Sequence, residues 1–246
     1  MTVGGKRLKV SLVLAAVVLL GTVGYVGFRL FSPDEPAHTD SRNVRVPYSR
    51  PPTVVVPPVV PGWQSVAGRD GSYAYDVPPD WTPKPETMRN WKADGRGPVL
   101  RLARPAYHGK GYCESDRDRP RGGTGVATSK APDPSVKIAT ELAKHVYGDA
   151  KLTVEPSQET QISFEHGKTR PGIITMIEVT PEPGDCEPAK AYVGAISIAS
   201  GENGNPKCAV MAVYSDDTMS RDQVLQILKS YRWVPPANRT TTVPPR

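Results

Sequence analysis

In CAVMAVYS (208–215) both alternating sets of side chains are largely apolar, with Cys208, Val210, Ala212 and Tyr214 on one face and Ala209, Met211 and Val213 on the other. A strand without a polar face has to be covered on both sides, as a central strand of a sandwich is. GIITMIEVT (172–180) and AYVGAISIA (Ala191–Ala199) precede it with no helical pattern between them. The three are therefore expected to pair as antiparallel neighbours rather than through crossover helices. Further outward, β-branched and aromatic runs between turn residues at 73–77, 99–103, 151–155 and 161–165 raise the expectation to about seven strands.

Two helices are signalled. Asp133-Pro134 places proline at the first helical position, and Val136, Ala139, Ala143, Val146 and Tyr147 recur at helical spacing before Gly148. Ser220 with Gln223 forms a capping box, followed by Val224, Leu225, Ile227, Leu228 and Tyr231 up to Trp233. The expected fold is α+β: a mostly antiparallel sheet of about seven strands packed by two helices. Residues 95–130 read as a long, loop-rich stretch.

Outside this domain, residues 10–28 (VSLVLAAVVLLGTVGYVGF) run without a charge. As a helix they cover roughly 28 Å, about one hydrocarbon core. A cleaved signal peptide is the rival, but its apolar region is shorter and ends in an A-x-A site, which this run lacks. Basic residues flank both ends, so charge alone leaves the direction nearly tied. The clustered Lys6, Arg7 and Lys9 and the long C-terminal part place the N-terminus inside. The expected organisation is a cytoplasmic tail (1–9), a transmembrane signal anchor (10–28), a Pro-rich linker (29–62), an extracytoplasmic domain (63–235) and a disordered tail (236–246). Eight of the 27 prolines fall between Pro33 and Pro61, which favours an extended polyproline stalk.

Between residues 63 and 235 there are 22 Lys and Arg against 22 Asp and Glu, so the net charge of +6 belongs to the flanks. A nucleic-acid partner, which needs a basic face, is not expected. The one local bias is 89–121, with nine basic and four acidic residues, read either as a contact for anionic envelope polymers or lipid head groups or as a solvated loop.

Three cysteines in a domain expected to face an oxidising compartment imply one disulfide and one odd thiol. Cys208 opens an apolar strand, whereas Cys113 and Cys186 lie in polar loops; Cys113–Cys186 is favoured and Cys113–Cys208 is the rival. Cys113 as a nucleophile with His108 or His145 as base would need a contact the sequence does not display. The histidines at 38, 108, 145 and 166 are scattered and there is no C-x-x-C, so neither a metal nor a cofactor site is expected. Gly122-Gly123-Thr124-Gly125 lacks the rest of a phosphate-binding frame and reads as a loop.

GSYAYDVPPDW (71–81) and QILKSYRW (226–233) resemble the opening strand and closing helix of PsbP-like exported domains. With the basic N-terminus, membrane segment, Pro-rich linker and GYC (111–113), the arrangement resembles an uncharacterised family of actinobacterial single-pass membrane proteins. The resemblance implies a PsbP-like sandwich outside the membrane and no catalytic residues. The leading expectation is a membrane-anchored, non-catalytic binding or scaffolding module of the cell envelope. Its partner would be an envelope polymer or another exported protein. An accessory or sensor subunit of a membrane complex and an envelope hydrolase stay open.

Overall fold

The computed structural model describes residues 53–93, 99–164, 167–199 and 207–242. The strands are β1 (Thr53–Val55), β2 (Gln64–Ala67), β3 (Tyr73–Val77), β4 (Thr82–Pro83), β5 (Met88–Trp91), β6 (Leu100–His108) and β7 (Gly122–Ser129). Helix α1 (Pro134–Tyr147) follows, then β8 (Lys151–Val154), β9 (Gln158–Ser163), β10 (Thr169–Thr180), β11 (Ala191–Ala199) and β12 (Cys208–Asp216). The order closes with α2 (Arg221–Lys229), β13 (Arg232–Trp233), the 3-10 turn Pro236–Asn238 and β14 (Thr240–Thr242).

A nine-stranded sheet runs β4-β6-β7-β12-β11-β10-β8, with β5 also on β6 and β9 also on β10. Its pairings are antiparallel, as expected for β10, β11 and β12. The two apolar faces of β12 divide as their alternation requires. Val210, Ala212 and Tyr214 pack with Ile138 and Leu142 of α1. Met211 and Val213 pack with Ile227 and Leu228 of α2 and with Tyr75 of a three-stranded sheet, β13-β3-β2. The molecule is thus layered, with α1 on one side of the large sheet and α2 with the small sheet on the other. Each fully buried Leu or Ile contributes about 1.5–3 kcal/mol.

The helix ends follow their local chemistry. Pro134 starts α1 and Gly148, at φ 65°, closes it. The α1 face is rotated from the expected one: Ile138, Ala139, Leu142 and Ala143 are buried while Val136 and Val146 are half-covered. The Ser220–Gln223 capping box forms. Helix α2 stops at Lys229, four residues short of the expected end, because Arg232 and Trp233 pair with Ala74 and Tyr73 as a strand.

Two further expectations are corrected. Beyond the strand expected at 99–103, the stretch 95–130 holds the rest of β6 and all of β7 rather than a loop. GGTG is strand because neighbours fill the space its side chains lack: a Cβ on Gly123 would meet the Tyr214 ring at 2.7 Å, and one on Gly125 would meet Leu102 Cβ at 2.8 Å. In β6, Arg104-Pro105 forms a bulge, with Arg104 at φ 55° and its carbonyl accepting from the Tyr75 hydroxyl.

The expected linker and tail also enter the fold, since Thr53–Val55 pairs with Thr240–Thr242 and Val56 is buried. Asp76, fully buried, takes the Val59 and Val60 amides on Oδ2 at 2.7 and 3.0 Å and the Arg232 guanidinium on Oδ1 at 3.0 Å. Arg232 also donates to the Pro57 carbonyl at 2.9 Å. Among the described residues no helix is long and apolar enough to cross a membrane; the expected span at 10–28 lies outside them.

Candidate functional site

Cys113 and Cys186 are joined, with Cα atoms 5.5 Å apart. The bond ties the loop between β6 and β7 to the loop between β10 and β11, and its surroundings reinforce the junction. The Tyr112 hydroxyl donates to the Cys186 carbonyl at 3.0 Å. Arg119 grips Glu187 in a bidentate pair at 2.6 and 2.6 Å, and hydrogen bonding to Glu187 raises the Arg119 guanidinium pKa. Arg121 lies 4.4 Å from the Tyr112 ring and pairs with Asp216 at 2.8 Å. Cys208, the rival partner, is a half-buried free thiol at the start of β12.

These stapled loops form one wall of a cleft of about 370 Å³. Asp116, Asp118 and Arg119 come from the first loop and Glu187 from the second. Arg89 and Trp91 of β5 face them, and His145 and Tyr147 bring in the C-terminal turn of α1. Arg89 lies over the Trp91 ring at 5.3 Å, and Trp91 stacks on His145 at 6.2 Å. Tyr147 meets Tyr214 edge to face at 6.4 Å, closing the inner end. Asp116 and Asp118 are exposed, so the cleft runs from two carboxylates at its mouth to aromatic rings inside.

Two polar atoms of its lining residues lie beneath its surface. Arg89 Nε and the Tyr147 hydroxyl are buried with no hydrogen-bond partner among the described residues. Such atoms are rare in folded proteins because each has given up water without replacement. Burial pushes the Tyr147 hydroxyl well above its ordinary value near 10, so at neutral pH it keeps its proton and is a donor. Tyr75, Tyr214 and Tyr231 are also raised by burial.

That yields a pH prediction. The folded chain holds these four protons more tightly than the unfolded chain does, so their contribution to stability is complete below about pH 10 and is lost as pH rises through the folded values. Tyrosinate absorbance at alkaline pH should rise first from accessible phenols and then in one step coincident with unfolding. A single smooth titration with the fold intact would contradict it.

Of the residues considered from sequence, His145 lines the cleft, while His108 sits elsewhere, with Nδ1 3.0 Å from Asp80 and its ring stacked on Trp81. Cys113 is bonded to Cys186 and buried, so neither histidine activates it as a thiol. His38 and His166 lie outside the described residues. Among the described residues no three His, Cys, Asp or Glu are grouped to hold a metal ion. Some of the basic stretch 89–121 does enter the cleft, through Arg89 and Arg119, but with Asp116 and Asp118 beside them. Sequence reasoning missed Trp91, Tyr147 and Tyr214 as site residues; the only local signal was the unusual charge of that stretch.

A family profile described as a domain of unknown function, DUF8017, matches residues 56–236. No curated protein matches the chain. A solved structure from Bacteroides thetaiotaomicron VPI-5482 is similar at 11% identity and a TM-score of 0.22, over 70% of this chain. The chain spans about half of that protein's length, 48%.

Proposed function

This chain belongs to the DUF8017 family, and we propose that it is a non-catalytic binding module of the cell envelope whose ligand seat is the cleft between α1, β5 and the stapled loops. The carrying observation is the cleft itself, where Arg89, Trp91, Asp116, Asp118 and Tyr147 converge from separate elements beside loops that the Cys113–Cys186 bond ties together. In this reading residues 10–28 anchor the chain in the membrane with the domain on the outer side. A disulfide supports that side, because such bonds persist in oxidising compartments. The PsbP-like likeness of 71–81 and 226–233 belongs to the same proposal.

The test is a photo-crosslinking amino acid at position 118 of the full chain in living cells, with position 151, exposed on β8, as control. An envelope polymer or exported protein captured from 118 and not from 151 is the expected result. Capture of cytosolic proteins alone, or equal capture from both positions, would overturn the proposal.

A further inference from the structure

We propose that an aromatic groove between the end of β9 and β13 docks on an anionic lipid surface; the inference rests on residues 10–28 being a membrane anchor and concerns a face other than the cleft. Tyr73, Phe164, Ile198, Tyr231 and Trp233 line this groove of about 200 Å³. The Phe164 and Trp233 rings lie 6.3 Å apart, and Tyr73 meets Tyr231 edge to face at 5.9 Å. Tyr73, Phe164 and Trp233 are only half-buried, and rings clustered at the surface mark a contact where single exposed side chains would not. Cations accompany them: the Arg170 guanidinium lies 3.7 Å from the Phe164 ring and that of Arg239 lies 5.7 Å from the Trp233 ring. Arg239 is held by the Val234 carbonyl at 3.1 and 2.7 Å, while the Asp70 carboxylate takes the Ser72 amide and hydroxyl at 3.0 and 2.8 Å. Lys168, whose carbonyl accepts from the Phe164 amide, is exposed, as is Arg69. Rings that enter the headgroup layer beside basic side chains that reach its phosphates are the composition of a contact with an anionic bilayer.

The groove also lies where the chain enters the domain. Ser72 lines it, and at the adjoining Gly71 a Cβ would meet Val54 of β1 at 2.6 Å and Arg239 at 3.1 Å. Only residues 29–52 separate β1 from the apolar run, a connection of 24 residues that reaches at most roughly 80 Å. Residues 37–46 of it hold no proline, so polyproline geometry is not imposed along its whole length. A surface to which the chain is tied meets the groove at an effective concentration set by that length, an advantage no freely diffusing protein has. This favours lipid over a protein as the occupant. Ile198 and Tyr231 of the groove pack on the α2 side of the large sheet, whereas α1 covers the other side. Docking through the groove therefore leaves α1, and with it the cleft, directed away from the bilayer.

The test is tryptophan quenching by phosphatidylcholine brominated near the headgroup, with the full chain in nanodiscs made with or without phosphatidylglycerol. The four tryptophans are Trp63, Trp81, Trp91 and Trp233, and none lies in 10–28, so the signal reports the domain and not the anchor. Expected is quenching in the phosphatidylglycerol discs that is lost in Trp233→Phe and falls at least twofold in Arg239→Gln or without phosphatidylglycerol. Phe164→Ala, which keeps all four tryptophans, should also lower it at least twofold and decides if Trp233→Phe does not fold. No quenching of the parent, quenching untouched by these variants, or equal quenching in discs lacking phosphatidylglycerol would each overturn the proposal. A protein captured by a photo-crosslinker at position 164 without quenching would assign the groove to that protein and overturn the lipid. If alkaline carbonate strips the chain from the discs, the anchor has failed, and quenching by added vesicles of the same brominated lipids still decides the groove. Capture from position 118 reports on the cleft separately from all of these.

Discussion

Asp76→Ala is expected to destabilise the domain by about 3–5 kcal/mol, the range found when one partner of a buried ion pair is removed. Asp76 is fully buried and the Arg232 side chain is 11% exposed, so the guanidinium left behind has little access to water. The Val59 and Val60 amides would lose their acceptor as well. Arg232 keeps its bonds to the Pro57 and Ser230 carbonyls, which hold it in place without balancing its charge. Urea unfolding measures the effect. Glu178→Ala, which removes the partner of Lys190 in a pair 44% and 39% exposed, should change stability far less, because solvent screens the pair. A loss at Asp76 no larger than that at Glu178 would show that the clamp contributes nothing.

Replacing Cys113 and Cys186 together by alanine is expected to cost about 4 kcal/mol, from the entropy regained by an unfolded chain no longer closed across a separation of 73 residues. For a domain of this size that lowers the thermal midpoint by roughly 8–16 °C. The loss should be joined by faster proteolysis in the two loops, because Tyr112 to Cys186 and Arg119 to Glu187 then hold them unaided. An unchanged midpoint under oxidising conditions would mean that the bond does not form in solution.

The features of the fold legible in the sequence were those whose signal is local. Both faces of β12 are apolar in the chain itself, Asp133-Pro134 and Gly148 bracket α1, and Ser220 with Gln223 opens α2. Strand β7 was not legible because what fills its glycine positions belongs to Tyr214 and Leu102, which are distant in sequence. The edge strands β1 and β14 are three residues each, among prolines and threonines, and exist through each other. Asp76 reads as a polar position in YAYDV until the fold brings Arg232 to it from 156 residues away.

The cleft was the least legible feature. Arg89, Asp118, Tyr147 and Tyr214 come from separate elements, and no spacing links them. The disulfide was the exception, because loop composition around Cys113 and Cys186 set them apart from Cys208, and the loops it joins supply Asp116, Asp118, Arg119 and Glu187 to the cleft.

The pairing of β1 with β14 has a mechanical consequence. A pull on the chain from before Thr53 reaches the domain first through the three residue pairs of a separate two-stranded sheet, which can unzip in succession at low force. Beyond them lies the clamp, where the amides of Val59 and Val60 and the carbonyl of Pro57 are held by Asp76 and Arg232 and must release nearly together. Tension therefore meets a soft element in series with a stiff one. The N-terminal strand can yield like a fuse while the sheet, the stapled loops and the cleft keep their shape.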